Sequence, residues 1–340
     1  MKAAIYNPYL DTLGGGERYT MAIATTLAKQ NYIVDVEWKD SSIKEKLEKR
    51  FDIDLSKINF VDNIKRGDGY DICFWVTDGS IPTLKSRKNF LHFQVPFTKV
   101  NGKSLINKFK LMRINKIICN SNFTKKIIDK EFGIDSFVLY PPVSVEKFKP
   151  KKKENLILNV ARFSNLMQSK RQDVLIKTFI AFSKSNDNWK LILAGGAEVG
   201  ADEYIKKLEK EIDGYKIEII RSPDFKTLKN LYGKAKIFWS ASGFGIDDEK
   251  EPKKVEHFGI APVEAMAAGC IPIITNAGGH REIIENNVNG FLWNNPGELY
   301  GYTKKISSDE KLRKQISEKA KEASQKFSYE KFEKTFTNLL

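Results

Sequence analysis

The chain has 340 residues, 41% hydrophobic and 29% charged, a composition typical of a globular protein with room for two α/β domains. No apolar run approaches the roughly 20 residues that span a bilayer, so the composition excludes an integral membrane protein. The N-terminal sequence shows no secretory signal, and the three cysteines lack metal-ligand spacing. We therefore expect a cytoplasmic protein with reduced thiols.

Positive charge is concentrated in one part of the sequence. The net charge is +14, and residues 79–128 contain eleven Lys or Arg but no Asp or Glu. Such a stretch favours an anionic partner. A phosphorylated lipid or an anionic membrane surface fits it better than nucleic acid, because no nucleic-acid recognition motif accompanies the charge. We expect peripheral membrane contact through 79–128 and no nucleic-acid binding; the alternative is a solvated face of a lysine-rich protein.

Short apolar runs alternate with helical patterns in the first part of the chain. Strands are predicted at 2–6, 32–37, 71–77, 89–93, 116–120 and 136–140, and helices at 17–29 and from the N-cap Ser121 to Gly133. This alternation is typical of βαβ units in a parallel sheet. Residues 1–145 are therefore predicted to form a Rossmann-like domain.

The dipeptide Pro141-Pro142 predicts a domain boundary, because it cannot continue a helix or a central strand. The rhythm then restarts, with strands at 155–160, 190–194, 216–220, 236–240 and 271–275 and helices at 172–185, 202–212 and 224–235. Residues 151–325 are predicted to form a second Rossmann-like domain. Ligands of such sheets bind beyond the carboxyl ends of the strands, so we expect the site at a cleft between the domains.

Three consecutive glycines, Gly14 to Gly16, lie between the first predicted strand and helix. They do not form the dinucleotide-binding fingerprint, because Tyr19 stands where its third glycine is required. No Gly-Lys-Ser/Thr follows, so the segment is not a P-loop. A nicotinamide or flavin cofactor is therefore disfavoured.

The most informative segment is residues 256–279, EHFGIAPVEAMAAGCIPIITNAGG. Pro262 suits the first position of a short helix and Gly269 the position after its end, which places Glu264 in the first turn. A carboxylate there can chelate the two hydroxyls of a ribose, although acidic residues are favoured at any helix start. Glu256, on the preceding loop, can reach a sugar. Phosphate or sugar oxygens can bind loop amides beside the helix end, at Phe258, Gly259 and Ile260.

These two glutamates, with Phe-Gly between them and Glu-Ala-Met-Ala-Ala-Gly-Cys-Ile-Pro after them, resemble the signature of glycosyltransferase family four, whose fold is GT-B. The resemblance implies that Glu264 holds the ribose and Glu256 the hydroxyls of the transferred sugar. It also implies that Arg162 and Lys170 grip the donor diphosphate, where fixed cations stabilise the leaving group. Taken alone, these two residues are more typical of surface charge.

Other positions resemble the family's donor site. The resemblance assigns to it Gly15 and Gly16 of the glycine loop, the strand end Gly195 and Gly196, the base-contacting backbone of Arg221, Ser222 and Pro223, and His257. His92 stands where the family keeps a histidine that faces the reacting sugar, although a strand-end histidine is often structural. No histidine has a partner at metal-binding spacing, so we expect neither a catalytic metal nor a cofactor.

The last segment, 326–340, resembles the family's C-terminal helix, which crosses back onto the first, acceptor-binding domain. Its aromatic residues Phe327, Phe332 and Phe336 also fit an ordinary amphipathic cap on the second, donor-binding domain. We favour the crossing helix.

A narrower resemblance rests on Asn7-Pro8-Tyr9, the triple glycine followed by Glu-Arg, His92, and Glu-His-Phe-Gly-Ile. Together these are similar to the mannosyltransferases that extend the lipid-linked core oligosaccharide of N-glycosylation. This implies retaining transfer of mannose from GDP-mannose to a lipid-linked or other glycan acceptor, without a protein nucleophile. The sequence departs from that group by an insertion at 243–255, and we expect no membrane anchor of the kind that the group carries.

Three alternatives stay open at this point. The donor can be a UDP-sugar, which would make the chain a glucosyl-, galactosyl- or N-acetylglucosaminyltransferase. The fold can also serve a sugar-nucleotide epimerase or a phosphorylase. A noncatalytic protein that binds sugar nucleotides or polyanions is the alternative of a different class, and the intact pair of glutamates argues against it.

Overall fold

The structure is a computed structural model that describes residues 1–164, 168–198 and 200–340. The chain divides into two compact units. The first contains Met1–Pro142 together with Tyr329–Leu340, and the second contains Val143–Ser328.

The first unit is built on a seven-stranded parallel sheet with the order β3-β2-β1-β4-β5-β6-β7. Its strands are β1 (Lys2–Tyr6), β2 (Ile33–Glu37), β3 (Ile58–Val61), β4 (Ile72–Val76), β5 (Lys88–Phe93), β6 (Lys116–Cys119) and β7 (Phe137–Val138). Its helices are α1 (Gly15–Lys29), α2 (Ile43–Phe51), α3 (Leu105–Leu111) and α4 (Asn122–Phe132). The inner strands are continuous apolar runs because helices cover both faces of a parallel sheet.

The second unit repeats the plan with a six-stranded parallel sheet of order β10-β9-β8-β11-β12-β13. Its strands are β8 (Glu154–Val160), β9 (Lys190–Gly195), β10 (Ile217–Arg221), β11 (Ala235–Ser240), β12 (Ile271–Thr275) and β13 (Phe291–Trp293). Its helices are α5 (Gln172–Ser183), α6 (Asp202–Glu211), α7 (Phe225–Lys234), α8 (Ile260–Ala267), α9 (His280–Ile283), α10 (Pro296–Ser308) and α11 (Glu310–Ser324). The predicted pair of parallel α/β sheets is confirmed.

The C-terminal helix, α12 (Tyr329–Thr337), belongs to the first unit. Phe332 lies edge-on to Tyr19 with ring centroids 5.3 Å apart, and Phe336 lies against Phe74 at 6.3 Å. Phe327, by contrast, packs within the second unit, 5.2 Å from Phe258. The two aromatic groups that the sequence placed in one segment are therefore divided between the two units.

The three cysteines, Cys73, Cys119 and Cys270, are buried free thiols. Burial raises the pKa of Cys73 and of Cys119 to about 12, so both are protonated at neutral pH. Across the described ranges, the helices are too short or too polar to cross a bilayer.

Candidate active site

The candidate donor residues of the second unit follow the carboxyl ends of its strands. Arg162 and Lys170 follow β8, Gly196 follows β9, Ser222 follows β10, and Glu256 follows β11. Because all strands of this sheet are parallel, these segments share one edge of the sheet, where α/β units bind their ligands.

The ammonium of Lys170 and the carboxylate of Glu256 form the central pair of this edge. Lys170 Nζ donates to Glu256 Oε2 at 2.8 Å, and the side chains are 10% and 26% exposed. Burial alone would raise the pKa of Glu256, but the charge of the Lys170 ammonium and its hydrogen bond outweigh burial and lower that pKa to about 2. Glu256 is therefore a carboxylate at every physiological pH and can only accept hydrogen bonds.

The backbone of Glu256 packs directly against a glycine loop, Gly278-Gly279. The Gly279 amide donates to the Glu256 carbonyl at 2.8 Å. A Cβ on Gly278 would lie 2.3 Å from the Glu256 carbonyl oxygen, and one on Gly279 would lie 2.3 Å from that of His257. Gly278 also has φ +53°, which side chains rarely adopt. Only glycine fits at this close approach of two chain segments.

His280 lies behind the Lys170–Glu256 pair and is neutral. Burial lowers its pKa, although the Glu256 carboxylate acts in the opposite direction. Its Nδ1 lies 3.0 Å from the Thr275 carbonyl oxygen, which can only accept, so the ring proton sits on Nδ1. The other ring nitrogen, Nε2, is then an acceptor.

The neighbouring His257 is oriented by Gln168. Gln168 Nε2 lies 3.2 Å from the Val255 carbonyl oxygen and 3.2 Å from His257 Nε2. Because the carbonyl can only accept, the amide nitrogen of Gln168 faces both groups, and His257 Nε2 accepts. Both histidines of the predicted donor loops are therefore held in one orientation.

Helix α8 starts two residues earlier than the sequence predicted. Gly259, at φ +118°, caps it, so Ile260 is its first residue and Pro262 its third. Glu264 consequently lies in the second turn, where the influence of the helix end is weaker, rather than in the predicted first turn. Its side chain is 9% exposed. The Ile260 amide, at the helix start, has no partner inside the helix.

The two glycines at the end of β9 have opposite surroundings. A Cβ on Gly195 would lie 1.9 Å from the Ala161 carbonyl oxygen, whereas a Cβ on Gly196 would meet no described atom within 4 Å. Gly195 is therefore required by the approach of β8 and β9, and Gly196 leaves open space at the sheet edge.

This contrast gives a matched pair of variants. We expect Gly195→Ala to destabilise the protein by about 1–3 kcal/mol, because the new methyl group overlaps backbone, and Gly196→Ala to leave stability within about 0.5 kcal/mol. Thermal unfolding of the two variants measures the difference. Equal unfolding temperatures would contradict the role assigned to Gly195.

The segment Arg221-Ser222-Pro223 is held by its own unit. The Arg221 guanidinium is committed to α6, with Nη2 2.7 Å from Glu209 and Nη1 3.8 Å from Asp202. Ser222 has φ +50°, and its amide donates to the Gly195 carbonyl at 2.7 Å. Pro223 is buried. At this end of β10 the segment therefore offers backbone groups to a ligand, whereas the Arg221 side chain is occupied by its ion pairs.

Arg162 and Lys170 differ in environment, although the sequence treats them as one basic pair. Arg162 is exposed, and its carbonyl accepts from Gln172 Nε2 at 3.1 Å. Within the described ranges its guanidinium makes no ion pair. Lys170 is buried against Glu256, so the structure pairs Lys170 with a glutamate and leaves the Arg162 charge facing solvent.

In the first unit, Gly15 and Gly16 are the first two residues of α1 rather than loop residues. The helix starts here because the Glu17 carboxylate accepts from the Gly14 amide at 2.6 Å and closes the first turn. The predicted glycine loop is therefore the first turn of α1. Gly16 faces Gln94, whose Cγ would lie 3.4 Å from a Cβ on Gly16.

His92, also in the first unit, is fully buried. Its ring stacks on Tyr19 with centroids 4.3 Å apart and lies 5.6 Å from Phe74. Burial lowers its pKa to about 4, so the ring is neutral. Its Nε2 lies 2.7 Å from Gln94 Oε1, and Gln94 is only half-buried. Of the two partners in this hydrogen bond, His92 is buried and Gln94 is the one that reaches solvent.

Sequence reasoning missed three residues of this arrangement: Gln94, Gln168 and Asp248. Asp248 Oδ2 accepts from the Gly278 amide at 2.8 Å and from Arg281 Nη1 at 2.7 Å. It belongs to the 243–255 insertion, which thus anchors the glycine loop behind Glu256. No local sequence pattern predicts a contact between residues that lie 30 positions apart.

A metal site is not apparent in the parts of the chain that the structure describes, where no three His, Cys, Asp or Glu side chains cluster as ligands. Metal independence stays a prediction.

Two parallel α/β units, the second with charged and glycine-rich loops at its strand edge, fit the GT-B class of glycosyltransferases. Residues 143–323, more than half of the chain, match the family described as glycosyl transferases group 1. The chain belongs to this family, and the family predicted from the glutamate motif is confirmed.

Two curated relatives are mannosyltransferases. In an alignment of 273 positions that covers 74% of this chain, the chain is 30% identical to the GDP-Man:Man(3)GlcNAc(2)-PP-Dol alpha-1,2-mannosyltransferase of Dictyostelium discoideum. In an alignment of 234 positions that covers 58% of this chain, it is 28% identical to the alpha-1,3/1,6-mannosyltransferase ALG2 of Saccharomyces cerevisiae. These matches cover 51% and 44% of the relatives, so the chain spans about half of their length.

Solved structures share the fold over the whole chain. HepE of Anabaena, solved with UDP and glucose, gives a TM-score of 0.78 at 18% identity, covering 99% of this chain and 98% of that one. Sucrose-phosphate synthase of Thermosynechococcus elongatus gives 0.70 at 14% identity, covering 100% and 98%. The predicted GT-B fold is confirmed.

Proposed function

We propose that this chain transfers a mannosyl residue from GDP-mannose to a lipid-linked or other glycan acceptor, with retention of configuration. The buried Lys170–Glu256 pair, at the strand edge of a group 1 glycosyltransferase domain, is the observation that carries the proposal. The mannosyltransferase names of the curated relatives support the choice of sugar and nucleotide.

Lys170 supplies the positive charge that the leaving group needs. A nucleoside diphosphate gains negative charge as the bond to the sugar breaks, and a preorganised cation stabilises that charge without reorganisation. In the free protein Glu256 holds this cation in place at 2.8 Å. When the donor binds, Lys170 can share its three N–H donors between the glutamate and a phosphate oxygen. The exposed guanidinium of Arg162 can add a second contact to the diphosphate.

Glu256 orients the sugar rather than moving a proton. With its pKa lowered to about 2, it carries no proton to donate, and its oxygens accept hydrogen bonds from sugar hydroxyls. In the proposed step the bond from the anomeric carbon to the phosphate oxygen breaks, and the acceptor oxygen bonds to the same face of that carbon. The acceptor proton passes to the departing phosphate oxygen. Catalysis then rests on orientation and electrostatics.

Glu264 is proposed to bind the ribose, and its removal should weaken nucleotide binding itself. We expect Glu264→Ala to lower the affinity for GDP by roughly 10–100-fold, because hydrogen bonds from two hydroxyls to a carboxylate are lost. Calorimetric titration with GDP measures this, and Glu285→Ala, an exposed carboxylate of the same unit, is the control. Equal GDP affinity in wild type and Glu264→Ala would contradict the assignment of Glu264 to ribose binding.

A thermal-shift screen with GDP, UDP, ADP and their sugars tests the donor. The true donor stabilises the folded state by mass action, so we expect the largest rise in Tm with GDP-mannose. A rise with a UDP-sugar and none with GDP-mannose would replace the proposed donor. Incubation with donor alone separates the enzyme classes, because an epimerase isomerises the donor whereas a transferase only hydrolyses it slowly.

A further inference from the structure

Helix α3 of the first unit exposes an unusual amount of apolar surface. Leu105, Ile106, Phe109 and Met112 are 72%, 68%, 70% and 81% exposed. No residue of α3 is buried. Large exposed side chains scattered singly need no explanation, but three on one short helix and a fourth, Met112, at its C-cap form a patch typical of interaction sites.

These four side chains form one face. At 100° per residue, the positions i, i+1, i+4 and i+7 span about 120° of the helix surface. The opposite side holds α3 on the protein, because Leu111 packs on the cluster that contains Phe93 and Phe132, and Asn107 Nδ2 donates to the Asn101 carbonyl at 3.1 Å. The exposed face is therefore not the one that packs in the fold.

The apolar face is bordered by positive charge. Lys103 and Lys108 are exposed, Lys110 is half-buried, and the stretch 79–128 around them contains no acidic residue. Among the described residues, these three lysines lie in no ion pair. The nearby Glu131 is engaged, because it accepts from the Lys99 and Val100 amides. The surface therefore presents an apolar stripe between unneutralised cations.

We propose that the α3 face docks on an anionic lipid bilayer. Leu105, Ile106, Phe109 and Met112 would enter the headgroup and acyl boundary, while the lysines contact lipid phosphates. A second copy of this chain fits less well, because two such faces would bring like charges together. Nucleic acid fits less well too, because it offers the apolar stripe no partner. This inference does not depend on the proposed donor or acceptor.

Vesicle flotation of the full chain at low salt tests the proposal. We expect binding to vesicles of phosphatidylcholine mixed with phosphatidylglycerol, and weak binding to phosphatidylcholine alone. Added salt should release the protein, because exposed charges are screened. Absence from the floated fraction with mixed vesicles at low salt would overturn the proposal, as would equal binding to both lipids.

Paired variants separate this face from the general positive charge of the protein. Because each basic side chain near an anionic surface strengthens binding roughly fivefold, Lys103→Ser/Lys108→Ser should bind mixed vesicles roughly 25-fold more weakly. The control Lys46→Ser/Lys49→Ser removes the same charge from exposed positions of α2 and should bind like wild type. Equal loss in both double variants would mean non-specific attraction and would refute a dedicated surface.

The apolar half of the proposal has its own control. We expect Ile106→Ser/Phe109→Ser to weaken binding at least tenfold, because inserted apolar area is lost, whereas Tyr215→Ser, which removes an exposed aromatic ring of the second unit, leaves binding unchanged. Sedimentation of the free protein distinguishes self-association. A dimer that the serine variants abolish, without vesicle binding by wild type, would assign the face to a second copy instead.

Discussion

The Glu256→Gln variant should lose turnover by roughly 10²–10³-fold, the range for removing one preorganised electrostatic contact, while keeping its affinity for free nucleoside diphosphate. The neutral amide cannot orient sugar hydroxyls as an ionised carboxylate does. It also releases Lys170, which Glu256 holds at 2.8 Å, for the phosphates. Initial rates at saturating donor, together with titration of GDP, measure the two effects separately.

A nearby pair supplies the control for this variant. Glu251, five residues before Glu256, forms an exposed ion pair with Lys254. Exposed pairs of this kind contribute little, so Glu251→Gln should leave both turnover and GDP affinity unchanged. Full activity in Glu256→Gln, or a loss of GDP affinity as large as its loss of turnover, would show that Glu256 does not act on the sugar.

The fold could be predicted largely because parallel strands buried on both faces are continuous apolar runs. The predicted strands at 155–160 and 190–194 match β8 and β9 within a residue. The prediction missed β3 and β13, which have four and three residues and lie at sheet edges. Strands this short contain too few residues to show an apolar/polar alternation or a continuous apolar run. They form because they pair with the neighbouring strand.

The candidate site could be predicted only as a set of residues. The motif identified Glu256 and Lys170 separately, but their ion pair joins positions 86 residues apart, which only the folded sheet brings together. Asp248 was hidden for the opposite reason, since the 243–255 insertion looked like a departure from the family although it anchors Gly278. The sequence pattern indicates the chemical role of each residue separately. Which residues interact depends on tertiary contacts, which the pattern does not contain.

The histidine of the first unit shows the same division. The sequence placed His92 at a strand end, where side chains can reach a ligand. In the structure its ring is buried against Tyr19 and Phe74, and its hydrogen-bond partner is the half-buried Gln94. Burial depends on what packs against the strand from elsewhere in the chain, which strand periodicity does not encode.

The Lys170→Met variant should be destabilised by about 3 kcal/mol at neutral pH, because it leaves a largely buried carboxylate without its partner. In wild type the pKa of Glu256 is lowered to about 2, below its ordinary value. Its stabilising contribution is therefore complete above pH 4.5 and is lost as pH falls towards 2. Without Lys170 the effect of burial dominates and raises the pKa of Glu256. Protonation of Glu256 then removes the free-energy cost of the unpaired buried charge, so the stability of the variant should approach that of wild type as the pH falls.

The double variant Lys170→Met/Glu256→Gln separates this structural effect from the catalytic one. Because both charges are removed together, it should recover most of the stability lost in Lys170→Met, yet remain inactive, since neither the cation nor the carboxylate is present. Hydrogen exchange of segment 255–280 at pH 7 and pH 4 reports the local stability, and initial rates report the activity. If the double variant regained activity along with stability, Lys170 and Glu256 would be a structural pair, and the charge on the donor diphosphate would have to be stabilised by other groups, Arg162 first among them.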